Sequence, residues 1–208
     1  MQIKNMEQLN FLSGLGEQKP IINDLFEYYP GVFSDKDSIS LMRTLIDKVQ
    51  WTQKSVLMYG KEVLTPRLTA WFGDDDVDYS ANGSHSRPYP WIAELLTIRD
   101  KVEKLSGMKF NSVLLNYYRD GNDSVSWHSD SDGIAGRNMF VASISFGQER
   151  VFDIRSIADH QHKFSILLES GSYFLMKGEF QEKWQHRIAK SKTATKERLN
   201  LTFRISSP

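Results

Sequence analysis

The chain has 208 residues, 40% hydrophobic and 12% aromatic, enough apolar material for one sizeable core and too much for global disorder. Its 26 basic and 26 acidic residues cancel, so no overall positive field drives strong non-specific binding to nucleic acid. It has no cysteine, which excludes disulfides and thiolate metal ligands, and no apolar run nears the roughly 18 residues of a membrane span.

The first sixteen residues lack the charged, apolar, small-residue order of a signal peptide, and the expectation is a monomeric, single-domain cytoplasmic protein. Ile39, Met42, Leu45, Ile46 and Val49 recur at helical spacing and predict a first helix, with Asp37 or Ser38 available as its N-cap. Residues 54–59 and 63–72 predict the strands of a hairpin turning near Gly60. Residues 73–90 are polar, irregular and long enough for a functional loop, and they hold the acidic cluster Asp74, Asp75, Asp76 and Asp78. Ile92, Leu95, Leu96, Val102 and Leu105 predict a second helix, entered after Pro88 and Pro90 and ended by Gly107.

Beyond Gly107 the pattern changes to short apolar-rich strands at residues 110–118, 140–146, 151–154, 164–168, 173–176 and 199–205. Turn residues such as Asp120-Gly121 and Lys177-Gly178 separate them. Many short strands after two helices predict an α+β, mainly β fold: a double-sheet jelly roll with an α/β extension at its front. The extension covers about residues 1–106 and the core about 107–208.

Chemistry concentrates in three places. In Trp127-His128-Ser129-Asp130, residues i and i+2 of a strand share a face, about 6.6 Å apart, so an imidazole and a carboxylate can close on one metal ion. Chance supplies about 0.4 such pairs in a chain of this composition, so the pair alone carries little. A second histidine, His186, completes two imidazoles and a carboxylate, the facial set of non-haem iron(II) oxygenases. The rival pair His160 and His162 lacks a carboxylate in register and reads as a surface hairpin. In the last strand Arg198, Asn200, Thr202 and Arg204 alternate with Leu199, Leu201 and Phe203. That alternation fits a strand wetted on one face, or a barrel lining whose guanidinium groups need an anionic partner such as a dicarboxylate. Asn116 and Tyr118 likewise share one face of an earlier strand.

Five stretches carry a resemblance: Pro66-Arg-Leu-Thr-Ala-Trp-Phe-Gly73, Phe110-Asn-Ser-Val-Leu-Leu-Asn-Tyr-Tyr118, Asp123-Ser-Val-Ser-Trp-His-Ser-Asp130, Trp184-Gln-His-Arg187 and Arg198-Leu-Asn-Leu-Thr-Phe-Arg204. In this order and spacing the sequence resembles the AlkB family of iron(II)/2-oxoglutarate dioxygenases, and within it the animal homologues that repair alkylated nucleic acids. The resemblance runs from about Trp51 to Phe203 and implies a double-stranded β-helix that uses Fe(II), 2-oxoglutarate and O2.

It also implies roles. His128, Asp130 and His186 match the iron ligands. Arg198 matches the arginine on the distal carboxylate of 2-oxoglutarate, with Tyr118 near it; Arg204 and Asn116 match residues around the chelating carboxylate, and Asn200 and Thr202 share their face. Asp132 matches the position that meets the exocyclic amino group of a damaged base, which suits cationic 1-methyladenine and 3-methylcytosine. Tyr79 is the first candidate to stack on the base, with Trp71 and Phe72 behind it, although Ala81 and Asn82 stand where some relatives carry an aromatic. Met58 and Tyr59, at the tip of the predicted hairpin, occupy the place of an apolar wedge in duplex-acting relatives. The implied activity is oxidative dealkylation of N-alkylated DNA bases, coupled to decarboxylation of 2-oxoglutarate to succinate and CO2 with release of an aldehyde. RNA is the alternative substrate, and a non-catalytic metal-binding sensor the alternative of another class. Lys183, Arg187, Lys190, Lys192, Lys196 and Arg198 cluster within sixteen positions, and the lysines of the segment Arg187 to Arg198, which joins the last metal ligand to the co-substrate arginine, are expected to face phosphates at the mouth of the site.

Overall fold

The structure, a computed structural model, describes residues 19–58, 60–77, 79–81, 84–130 and 140–206, with the backbone alone at residues 57, 58, 79–81 and 84–86. Strands β1 (Ile21–Ile22) and β2 (Phe26–Tyr29) come first, then helix α1 (Asp35–Lys48). Ser34 caps α1 by accepting from the Asp37 N–H, one turn before the expected cap, because the acidic first turn Asp35 and Asp37 already suits a helix N-terminus. Ile39, counted among the apolar positions, is 52% exposed, while Leu45 is fully buried.

Strands β3 (Ser55–Met58) and β4 (Lys61–Leu64) form a hairpin, and β5 (Leu68–Gly73) is separate from it. The predicted strand over residues 63–72 is therefore two strands. Pro66 lacks the N–H that a continuous ladder needs, and the chain turns there to enter another sheet. The short pair β6 (Tyr79–Ala81) and β7 (Ser84–Ser86) precedes helix α2 (Ala93–Ser106), which ends on Gly107 at φ 71°, the left-handed C-cap that glycine adopts without penalty. Then come β8 (Ser112–Tyr118), β9 (Val125–His128), β10 (Val141–Gly147), β11 (Arg150–Ser156), β12 (Lys163–Leu168), β13 (Ser172–Met176), the one-turn α3 (Phe180–Lys183), β14 (Trp184–Ile188) and β15 (Arg198–Arg204).

Two sheets organise these strands. The larger has the order β1-β2-β13-β10-β15-β8-β5 and the smaller β12-β11-β14-β9, with antiparallel neighbours throughout, as in a jelly roll. Strands β1, β2 and β5, which precede residue 106, belong to the large sheet.

One face of the large sheet packs under the helices: Leu45, Leu95, Ile98 and Val102 meet Leu115, Ile144, Leu199, Leu201 and Phe203. Its other face meets the small sheet, where Phe174, Met176 and Tyr118 pack with Phe152, Ile154, Leu168 and Ile188. The large sheet is thus covered on both sides, by the helices on its apolar face and by the small sheet on the face that lines the cavity, which is why β10 and β15 are buried almost end to end. At about 25 cal/mol per Å2, each fully buried Leu or Phe of β15 contributes roughly 1.5–3 kcal/mol, so the register of that strand is firmly set.

Candidate metal and co-substrate site

The sheets enclose a cavity of about 290 Å3, lined on one side by Asn116, Tyr118, Arg198, Asn200, Thr202 and Arg204 and on the other by Val125, His128, Phe152, His186 and Ile188. His128 ends β9 and pairs across the ladder with His186 of β14, which sets the two imidazoles side by side with centroids 4.3 Å apart. A register shift between that pair and Ile188–Val125 bends β9 at this point. Asp130 lies beyond the end of β9, so strand alternation alone does not deliver it. It is held from two directions: its N–H donates to Gln181 Oε1 at 2.9 Å, and its carboxylate accepts from Arg204 Nη2 at 2.6 Å. Its oxygens stand 3.7 Å from His128 Nε2 and 3.9 Å from His186 Nε2, and the three ligand atoms all lie within 4.8 Å of one another.

The protonation states suit a cation. Burial pushes His186 down to about 4, so its imidazole is neutral and its lone pair free at neutral pH. Burial alone would raise Asp130, but Arg204, His186, His128 and Arg67 outweigh it and hold the carboxyl below the usual range. His128 Nδ1 lies 2.9 Å from the Ser126 carbonyl, and donation there leaves Nε2 to face the metal position. Two imidazoles and one carboxylate fit Fe(II) as a donor set.

The co-substrate end is equally specific. Arg198 is only 1% exposed; Nη2 donates to Ser145 Oγ at 2.9 Å, and Nε and Nη1 find no acceptor among the described residues. Burial pulls its guanidinium below the usual arginine range, and its carbon lies 5.0 Å from the centre of the Tyr118 ring. A buried guanidinium with two free donor directions at a cavity wall fits a carboxylate. The solvent-wetted alternative for this strand does not hold, since Arg198, Asn200 and Thr202 are all buried.

Other expected residues divide. Asn200 donates to Ser143 Oγ and the Ile144 carbonyl and accepts from Thr202 Oγ1, so these two side chains are tied to protein partners. Asn116 accepts from Arg67 Nε at 2.9 Å. Arg67 lines the cavity and was missed, although the alternation Arg67, Thr69, Trp71 against Leu68, Ala70, Phe72 marks its face. Trp71, half-buried, pairs with Leu114 in the ladder and so lies on the cavity side of β5. Phe72 does not: it turns into the core under the helices. Met58 ends β3 and Tyr79 opens β6, both described by backbone alone; Tyr59 and Asp132 lie outside the described residues.

The basic stretch is not where it was expected. Residues 189–197 join β14 of one sheet to β15 of the other at the Arg198 end. They lock onto Gly121, whose added Cβ would lie 2.0 Å from the Ser191 carbonyl oxygen, and Ser191 N donates to the Gly121 carbonyl. Arg204, which touches Asp130, is six residues along β15, about 20 Å away at 3.3 Å per residue. Lys190, Lys192 and Lys196 therefore stand at the end of the barrel away from Asp130. Nor is the acidic cluster all solvent: Asp74 accepts from Trp91 Nε1 at 2.7 Å and from Arg99.

Comparison with known proteins agrees with this geometry. The profile described as "2OG-Fe(II) oxygenase superfamily" matches residues 26–204. Alpha-ketoglutarate-dependent dioxygenase alkB homolog 3 of Rattus norvegicus is 35% identical over 188 residues, 86% of this chain and 63% of that protein; the Homo sapiens counterpart is also 35% identical, over 65% of its length. The chain thus spans under two thirds of these relatives. DNA oxidative demethylase ALKBH2 of Mus musculus is 30% identical over 86% of this chain and 80% of its own length. A solved structure, OsALKBH1, superposes with a TM-score of 0.66 at 15% identity, over 89% of this chain and 99% of that one, a likeness of fold. With its two facing sheets, its pair of histidines with one aspartate and its buried arginine, the chain belongs to the 2OG-Fe(II) oxygenase superfamily and, within it, to the AlkB homologues.

Proposed function

We propose that the chain is an Fe(II)- and 2-oxoglutarate-dependent dioxygenase that removes alkyl groups from nitrogen atoms of DNA bases, 1-methyladenine and 3-methylcytosine among them. The observation that carries this is the pairing, in one cavity, of the His128–Asp130–His186 cluster with the buried Arg198. Relatives named as DNA oxidative demethylases support the choice of substrate.

His128, His186 and Asp130 would hold the iron, and Arg198 would take the distal carboxylate of 2-oxoglutarate, with Tyr118 beside it. Arg204 and Asn116 face the other carboxylate, and Arg204 already orients Asp130. When bound, iron and 2-oxoglutarate supply the oxidation: O2 is reduced as the oxo acid becomes succinate and CO2, and the hydroxylated alkyl group leaves nitrogen as an aldehyde. The apolar wall formed by Phe152, Phe174, Met176 and Ile188 keeps water from the reacting centre.

Trp71 lies on the cavity side of β5 and Asp132 follows the metal carboxylate by two residues; we assign them to stacking on the base and to its amino group. Val56, Val63 and Leu64 expose apolar surface on the β3–β4 hairpin, three residues from cavity-lining Arg67, which favours insertion beside a flipped base. The test is mass spectrometry of methylated single-stranded DNA, duplex DNA and RNA incubated with Fe(II) and 2-oxoglutarate. Loss of one methyl group from DNA with matching succinate and formaldehyde is the expected result. Succinate formation with every base unchanged would overturn the base-dealkylation reading, and faster loss from RNA would transfer it to RNA.

A further inference from the structure

Outside the metal cluster, one buried side chain joins the two segments that carry its ligands. Gln181 lies on α3, the single turn between β13 and β14, five residues before His186. It is 7% exposed, and its Oε1 accepts from the backbone N–H of Asp130 at 2.9 Å. Its amide nitrogen lies 3.1 Å from Met176 Sδ, a weak acceptor whose contact fixes which way the amide faces. Both ends of Gln181 are therefore oriented, with the oxygen toward Asp130.

We propose that Gln181 is a positioning residue for the metal centre: it fixes the Asp130 backbone so that the carboxylate meets His128 and His186 at one point. The proposal rests on the reading of these three residues as the iron site. Asp130 has two anchors of different kinds. Arg204 grips the carboxylate itself, and in the proposed function it also faces a co-substrate carboxylate. Gln181 grips the main chain, leaving both carboxylate oxygens to the metal and to Arg204, so its hold is independent of ligand. Phe180, beside it, is buried against both Phe174 and His186, so α3 is itself fixed to the second metal-bearing strand. Residues that orient metal ligands typically change metal affinity about 10- to 100-fold when replaced.

Mn(II) binding, read as free Mn(II) by electron paramagnetic resonance in the absence of 2-oxoglutarate and substrate, tests this without turnover. Gln181→Met keeps the length and apolar packing of the side chain but removes the acceptor, and Mn(II) affinity should fall about 10- to 100-fold. Gln181→Glu keeps the acceptor and adds negative charge near the cation, so its affinity should equal or exceed that of the wild type. Wild-type affinity in Gln181→Met would make Gln181 a packing residue, and equal weakening in both variants would show that the acceptor is not what matters; either overturns the proposal. If Gln181→Met does not fold, Gln181→Asn, with its acceptor withdrawn by one methylene, should bind more weakly, and wild-type affinity there overturns it as well. Failure of the wild-type chain to bind Mn(II) at all would instead remove the metal reading on which the proposal stands.

Discussion

Replacing Arg198 by methionine separates a co-substrate clamp from a structural cation. Arg198 is buried, has one hydrogen bond to Ser145, and points two further donors where no acceptor stands among the described residues. Removing one partner of a buried charge pair costs about 3–5 kcal/mol, roughly 150- to 5,000-fold in the Kd of 2-oxoglutarate. Methionine fills similar space without charge, so the ligand-free protein should keep its stability. A thermal-shift titration at saturating Mn(II) reads both quantities. With 2-oxoglutarate at 100 times its wild-type Kd, the wild type gains about 2.7 kcal/mol, or roughly 5–11 °C at 2–4 °C per kcal/mol. Even at the smaller loss, the same concentration is only about 0.7 of the variant's Kd; the gain falls to about 0.3 kcal/mol, roughly 1 °C. Equal shifts in the two proteins would refute the assignment and leave Arg198 a structural residue.

The other expectations are more direct. His128→Ala, Asp130→Ala and His186→Ala should each abolish turnover and metal-induced stabilisation; near-normal activity at micromolar iron in any one removes that residue from the ligand set. Asp132→Ala should leave 2-oxoglutarate binding intact and lower kcat/KM about 10- to 150-fold on 1-methyladenine and 3-methylcytosine, through loss of a charge-assisted hydrogen bond of about 1.5–3 kcal/mol. The loss should be smaller on 1-methylguanine and 3-methylthymine, and equal losses on all four, measured at fixed salt, would contradict a contact with the amino group. Metal-free protein should lose stability as pH falls from 6.5 toward 4, because the unfolded chain protonates His186 there while burial holds the folded group at about 4. The full effect is up to about 3 kcal/mol, and a Tm–pH profile of His186→Gln that is as steep as the wild type would count against it.

Legibility in the sequence followed the range of the interactions. Strand β15 was readable because strict alternation over seven residues fits only an extended segment, and its two faces differ in chemistry. Helix α2 was readable from its spacing and from Gly107. Strands β1 and β2 were not, since Phe26–Tyr29 is a short run whose partner, β13, lies well over a hundred residues away. The misplaced basic stretch has a similar cause. Its nearness in sequence to His186 and Arg198 says nothing about which end of the barrel it closes, because β14 and β15 lie in different sheets. Arg67 and Gln181 were overlooked because each acts through a partner remote in sequence, Asn116 and Asp130 respectively.

Strand β15 also bears on how this chain can vary over evolutionary time. Its even-numbered side chains face the cavity and its odd-numbered ones the core under the helices, so neither side is idle. Inserting or deleting one residue would rotate both sets at once, carrying leucines into a charged pocket and arginines into hydrocarbon. Point substitutions on one side are open to compensation by their neighbours, but a single-codon length change is not. Gains and losses of chain length should therefore accumulate in the exposed β3–β4 hairpin, while the span from Arg198 to Arg204 keeps a constant count.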